Sequence, residues 1–266
     1  MLAGRDAGIY EILRAINASG DGLLGSWALA EHLRASGLEL SEATVGRILR
    51  DLDRDGLTER LGFRGRRLTA QGKARLRELE SERRLASSGS EFLGALRART
   101  REELLEVLVA RRAIERETAR LAAHNRTDAQ LADLAQALAS QAVHVQSGEV
   151  ATEDDALFHR VIAQAAGNRV LRAANELIRE DSQLTPALEF IRKTLHSTIV
   201  ADHAKIMEAV RQQDEVAAEQ AMVRHIENLI ADVQKYYDRL DMSTGDGEGG
   251  DGSGERDRDS KGPARS

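Results

Sequence analysis

Three stretches of this sequence read as amphipathic helices, and each sets an ionisable side chain on its apolar face. On a helix, positions i, i+4, i+7 and i+11 share one side. In one stretch these positions hold Asp155, His159, Ile162 and Ala166. The same rule puts His203 in line with Ile199, Ile206 and Val210, and His225 in line with Ala218, Met222 and Leu229. A buried carboxylate or imidazole is costly unless it is paired or bound. One carboxylate oxygen and three imidazole nitrogens suit a divalent metal. The competing explanation is three unrelated core histidines, each with a backbone partner.

The spacing of the last two histidines favours a shared site. Gln212-Gln213-Asp214 reads as a turn between the two closing helices. His203 precedes it by about ten residues and His225 follows it by about eleven, so at ~1.5 Å per residue both lie roughly 15 Å from the turn.

Composition points to an all-α chain. Its 266 residues include only two prolines, Pro186 and Pro263, and aromatics make up 3%. Without cysteine there is neither a disulfide framework nor a thiolate metal site. No apolar run approaches the ~20 residues of a membrane span, and the first residues lack a basic-then-apolar signal pattern. A soluble, cytoplasmic protein is the expectation. A net charge of −6 excludes a globally basic nucleic-acid binder, so any such surface must be local.

Residues 7–17 read as a first helix with Ile9, Ile12, Leu13 and Ile16 on one side. Ser26 is the expected cap of a second helix, closed by Gly37. Ser41 caps a third, with Val45, Ile48, Leu49 and Leu52 inward and Gly56 at its end. Residues 57–61 and 66–69 form two short strands, and a fourth helix starts after Thr69. This order predicts a winged helix-turn-helix domain over residues 1–82, with the third helix in the DNA major groove. Residues 60–77 carry seven Lys or Arg and no acid, which makes a basic wing suited to phosphates. The expected DNA contacts are Thr44, Arg47 and Arg50 on the helix, and Arg64, Arg66 and Arg67 on the wing. The bland alternative is a solvated Arg-rich face on a protein–protein module.

Residues 83–99 read as a linker because of Ser87-Ser88-Gly89-Ser90. Thr100 and Glu103 make a capping box that opens a helical bundle over 100–240. The first bundle helix turns Leu104, Val107, Leu108, Arg111, Ile114, Thr118 and Leu121 inward. A buried Arg111 needs a carboxylate, from the protein or from a ligand. The next helix, opened by Thr127, turns Leu131, Leu134 and Leu138 inward, with His144 off the stripe and at the surface. Thr152 caps the Asp155 helix, which stops at Gly167-Asn168. A following helix buries Val170, Leu171, Ala174 and Leu177. His196 is expected in a plain packing or surface role. Residues 241–266, with seven Gly among many charges, are expected to be disordered.

The second half resembles the FCD ligand-binding domain of the FadR branch of GntR-type bacterial transcription regulators. The residues that carry the likeness are Arg111-Arg-Ala-Ile-Glu115 with Ala122-Ala123, Asp155-Ala-Leu-Phe-His159 and Gly167-Asn168. Asp202-His203-Ala-Lys-Ile-Met-Glu-Ala209, Asp214, Ala217-Ala218 and Met222-Val-Arg-His225 follow. The likeness spans about residues 100–237. It implies an antiparallel bundle of six or seven helices, with Asp155, His159, His203 and His225 holding a divalent metal, zinc or nickel. It also implies a small carboxylate effector bound near the metal by Arg111, with Asn168 lining the pocket, and a homodimer on palindromic operator DNA.

The first half departs from that family's pattern. Gly46 stands where Arg is frequent, and Arg47 comes one residue late. Leu68-Thr69-Ala-Gln-Gly72 ends the wing as other bacterial winged helices do. The resulting expectation is a transcription regulator with no catalytic residues, whose operator binding is controlled by the effector. Two other readings stay open: a metal-dependent hydrolase-type enzyme using an open coordination position, and a regulator whose metal is purely structural.

Overall fold

The structure is a computed structural model that describes residues 4–19, 23–149, 151–180, 184–195 and 199–245. It is mostly helical, with one small hairpin, and divides into two compact units, Met1–Gly94 and Ala95–Ser266.

The first unit contains α1 (Gly4–Ala18), α2 (Ser26–Ala35), α3 (Glu42–Arg54), β1 (Thr58–Arg60), β2 (Arg66–Leu68) and α4 (Ala70–Ala95). Ile12, Leu13, Ile16, Leu29, Leu33, Val45, Leu49 and Leu52 close a common core. Ser41 caps α3 by accepting from the Thr44 N–H at 3.2 Å. Ser26 does not cap α2. It is the first helical residue, after Gly25, and its hydroxyl donates to Glu42 instead. The strands are antiparallel, with Glu59 opposite Arg67. Leu24 extends this pairing by exchanging backbone hydrogen bonds with Arg66. That close approach needs Gly65: a Cβ there would lie 2.6 Å from the Leu24 carbonyl carbon.

Within the expected linker, residues 83–99, α4 continues as helix through Ala95. Ser and Gly lower helix propensity by less than a capping or proline signal would need to end a helix. The start of α4 is locked by Gly72, which packs against the Leu57 carbonyl oxygen with no space for a side chain.

The second unit is an all-α bundle. It contains α5 (Arg101–Asn125), α6 (Asp128–Ser147), α7 (Thr152–Ala165), α8 (Arg169–Arg179), α9 (Leu184–Leu195), α10 (Ile199–Arg211) and α11 (Glu215–Gly245). Capping boxes at Thr100/Glu103 and Thr127/Gln130 start α5 and α6. Thr152 is not a cap: α7 begins at that residue, and its hydroxyl donates to Glu189. α10 and α11 form the expected hairpin across residues 212–214, with Gln213 at φ 57°. The core includes Leu108, Ala119, Leu134, Phe158, Ile162, Ile206, Met222, Ile226 and Leu229.

The faces of α6 and α8 are rotated from their expected positions, whereas on α5 Leu104, Val107, Leu108, Arg111 and Thr118 are buried as expected. The buried stripe of α5 also takes in Glu115 and Ala119, leaving Ile114 and Leu121 half-buried. On α6 it runs Leu134, Ala137, Gln141, with Leu131 and Leu138 half-buried. On α8 it is Asn175 and Ile178 that are buried, while Val170 and Leu177 are exposed. Residues 241–245, expected in the disordered tail, are helical as the end of α11. The rest of that tail and His196 lie outside the described residues.

Two glycines of α4 give opposite expectations. Gly72→Ala forces a methyl into the Leu57 carbonyl and should destabilise by about 1–3 kcal/mol, as overpacking does. Gly89 is exposed with nothing near its Cβ position, so Gly89→Ala should stabilise by up to ~1 kcal/mol through helix propensity. Thermal melts of both variants check this, and equal shifts would contradict the packing at Gly72.

Candidate metal centre and DNA-contact surface

The bundle brings His159 of α7, His203 of α10 and His225 of α11 together. All three are buried, and one ligand atom from each falls within 4.8 Å of the others. Asp155, one turn before His159, brings Oδ1 to 3.8 Å from His159 Nε2 and 3.6 Å from His203 Nε2.

Neighbouring side chains turn specific atoms toward the centre. His203 Nδ1 donates to Gln141 Oε1 at 2.7 Å, so its Nε2 faces inward as the bare nitrogen. The ring also stacks on Phe158, with centroids 4.2 Å apart. His159 Nδ1 lies 2.5 Å from Glu115 Oε2, outside good hydrogen-bond alignment. Arg179 donates to Asp155 Oδ2, which leaves Oδ1 for the centre. Carboxylates and amides that orient imidazoles in this way typify the surroundings of metal-bound histidines.

The centre contains buried polar atoms without hydrogen-bond partners: Asp155 Oδ1, Nε2 of His159 and His203, and both ring nitrogens of His225. Such atoms are rare in folded proteins and signal an absent ligand or stored cost. Their chemistry fits a divalent cation, since each neutral imidazole offers one lone pair, one ligand atom of each histidine lies within 4.8 Å of the others, and Asp155 Oδ1 lies 3.8 and 3.6 Å from two of them. Burial pushes all three imidazoles below their ordinary value, which keeps them neutral and able to ligate. Burial opposes the charge of Asp155, but Arg179 and its other cationic neighbours outweigh it and hold the carboxyl well below the usual range. Glu115 behaves alike, with burial outweighed by Arg111 and other neighbours. The histidine cluster can therefore chelate a divalent metal.

A cavity of about 210 Å³ adjoins this centre, and Arg111, Gln141, Asp155, Leu188 and Arg192 contribute to its wall. Arg111 lines the cavity, and its Nε donates to Glu115 Oε1 at 2.7 Å, so it has the protein carboxylate that one of the two sequence readings called for. Asn168 does not line the cavity. It is the N-cap of α8, with its side-chain oxygen accepting from the Val170 and Leu171 N–H groups. Arg179, Arg192, Glu115 and Gln141 were not picked out as site residues from the pattern. Charged and amide side chains on helix faces carry no hydrophobic signal, and of the four only Glu115 lies in a segment that carries the family likeness. His144 is partly exposed, as expected, and pairs with Asp154 at 2.5 Å.

On the first unit, Arg47 and Arg50 are exposed on α3 and Arg64 is exposed in the wing loop. Thr44 is half-buried, and its hydroxyl lies 2.9 Å from that of Ser41. Arg67 is exposed and paired with Glu59 across the strands at 2.6 Å. Arg66 is a correction. Its side chain is only 13% exposed and its Nε bonds both oxygens of Asp53, at 3.1 and 2.8 Å. It ties the wing to α3 and is not available to a phosphate.

The metal-free centre should lose stability in acid. Its histidines titrate below 6.5 when folded, so the unfolded chain takes up protons first, and stability falls as pH drops below 6.5. His225→Leu removes two orphaned nitrogens. It should stabilise the metal-free protein by about 1–3 kcal/mol and flatten its acid loss, while abolishing stabilisation by added Zn²⁺. Melts at pH 7.5 and 5.5, with and without Zn²⁺, check this; a less stable metal-free variant would contradict the reading of these nitrogens.

Residues 106–228 match the FCD domain, and residues 10–76 match the ribonuclease R winged-helix domain. The chain is 28% identical over 154 residues to the HTH-type transcriptional regulator LutR of Bacillus subtilis (strain 168), covering 56% of this chain and 70% of that one. It is 30% identical over 116 residues to the HTH-type transcriptional repressor NanR of Citrobacter rodentium (strain ICC168), covering 42% and 44%. Among solved structures, Streptococcus agalactiae GntR aligns over 85% of this chain and 99% of its own, at 21% identity and a TM-score of 0.43. No helix of the described residues is long and apolar enough to cross a membrane. With an FCD-domain match following a winged-helix match, and with HTH-type transcriptional regulators among its relatives, the chain is similar to FCD-type transcriptional regulators.

Proposed function

We propose that this protein is a DNA-binding regulator whose hold on its operator is set by a small carboxylate bound beside a divalent metal. The observation that carries this reading is the set of orphaned lone pairs beside a cavity that Asp155 lines, within a chain that also has a winged helix. The metal would be held by Asp155 Oδ1, Nε2 of His159 and His203, and one ring nitrogen of His225. Zinc or nickel suits such a nitrogen-rich set. When bound, the metal supplies a Lewis-acidic position for an anion's oxygen. Glu115, Gln141 and Arg179 orient the ligands, and the cavity admits the effector.

The DNA surface is Thr44, Arg47 and Arg50 on α3 together with Arg64 and Arg67 on the wing. Both relatives are described as HTH-type regulators, one of them a repressor, which supports DNA as the partner. The working unit is a homodimer in the cytoplasm that reads a two-fold operator, with half-site spacing set by the dimer. The effector acts by favouring one arrangement of the bundle over another, and its reach is limited to its differential affinity for the two.

Two measurements test the two halves separately. Metal analysis of the purified chain should give about one divalent ion per chain, lost in Asp155→Ala and His203→Ala; full retention in both variants would remove the ligand assignment. On DNA, Arg64→Ala should weaken binding to all sequences alike and reduce the salt slope by about one. Arg66→Ala should instead lower the melting temperature of the first unit, because it unties the wing from Asp53. A salt slope unchanged by Arg64→Ala would sink the wing assignment.

A further inference from the structure

Three cations line the cavity, and they are not equally committed. Lys193 Nζ donates to the Gly148 carbonyl at 2.7 Å. Arg111 Nε is engaged by Glu115 at 2.7 Å. Arg192 is 8% exposed, and its Nε is buried with no hydrogen-bond partner. Among the described residues its ion pair is with Asp155 Oδ1, at the loose distance of 3.6 Å. Asp232 acts on it from beyond ion-pair distance.

Asp155 Oδ1 is also the oxygen that faces His159 and His203. A metal at the centre would claim it. Arg192 would then be a buried guanidinium beside a dication, with its counter-charge taken. Buried charges without partners are strongly disfavoured, and a guanidinium fork suits a carboxylate above other groups. Arg111 would keep its partner, because Glu115 is not among the proposed ligands.

We propose that Arg192, on α9, is the receptor for the effector's carboxylate, and that Arg111 is a positioning residue acting through Glu115 on His159. This rests on the metal-and-effector reading above and names the residue that reads the ligand. The ligand class is a small carboxylate with an apolar body. The cavity of about 210 Å³ is of small-molecule size, and Val145, Leu188, Ile199 and Leu229 contribute an apolar wall. The position also gives the ligand a lever. Glu189, one turn before Arg192, accepts from the Ala151 N–H and the Thr152 hydroxyl, and Lys193 holds Gly148. The face of α9 that meets the anion is thus fastened to the segment leading into α7, the helix that carries Asp155 and His159.

The test uses the full chain in carboxylate-free buffer, with Zn²⁺ as the metal and acetate, succinate and benzoate as probes. Zn²⁺ affinity is read by competition with a chromophoric chelator, and acid binding to the loaded protein by calorimetry. The expected result is that at least one probe binds the wild type, and that Arg192→Gln weakens it tenfold or more. The same variant should bind Zn²⁺ several-fold more tightly without acid, because a cation beside Asp155 has gone. Arg192→Lys should retain part of the acid binding. Arg111→Gln should weaken Zn²⁺ while leaving acid affinity of the loaded protein within about threefold. Acid affinity unchanged in Arg192→Gln would overturn the proposal, as would weaker Zn²⁺ binding, which would make Arg192 a mere support for Asp155. A wild type that binds Zn²⁺ but none of the probes also overturns it. A wild type that takes no Zn²⁺ fails earlier, at the metal reading itself.

Discussion

One buried carboxylate, Glu115, determines how three helices of the bundle meet. It lies on α5, is 1% exposed, and faces Arg111 of its own helix, Arg179 of α8 at 3.1 Å and His159 of α7 at 2.5 Å. A carboxylate so buried is tolerated only with its charge met from several sides. Its cationic partners meet it from two helices, and Arg179 passes the constraint on by donating to Asp155 as well. Removing Glu115 would leave two buried guanidinium groups short of a counter-charge and free the His159 ring to turn. The geometry of the centre is thus set one layer outside it, by residues that touch no metal.

Much of this arrangement was legible in the sequence, and the failures have physical causes. His203 and His225 could be brought to one height because a hairpin fixes register by counting from its turn, and Gln213 sits where that count placed it. Faces were harder. Gln141 and Asn175 are polar, so a hydrophobic stripe drawn through Leu138 or Val170 rotates the helix by one position. Arg179 and Arg192 gave no signal, since a long cationic side chain reads as solvated unless the partner that buries it is known. Caps behaved the same way. Thr100 and Thr127 were found because a capping box has two members at fixed spacing. Ser26 and Thr152 were misplaced because a lone hydroxyl has other partners available, here Glu42 and Glu189.

The winged helix illustrates how charge counting overstates a surface. Its seven basic residues between 60 and 77 suggested that the whole wing faces phosphate. Arg66 is instead spent on Asp53, which also accepts from the Thr58 hydroxyl at 2.6 Å. Arg67 is partly neutralised by Glu59. The wing's posture against α3 and its charge therefore compete for the same residue type, and Arg64 is left as the most available cation of the loop. The match of this half to a winged helix from another setting fits the departures at Gly46 and Gly72 from the usual pattern of the family.

The two sides of the FCD centre are coupled by cost rather than by contact alone. Without a metal, the domain buries Asp155 Oδ1 and five imidazole nitrogens with no hydrogen-bond partner, and each such atom disfavours the folded state. A cation would remove most of that cost at one stroke and, bound only by the folded chain, would stabilise it by mass action. It would also take Asp155 Oδ1 from Arg192 and move the unmet charge to the cavity wall. An anion would then be favoured where, in the metal-free protein, a carboxylate of the protein already partly fills its role. On the proposed reading, metal and effector would therefore bind cooperatively, because each completes the charge balance that the other leaves open.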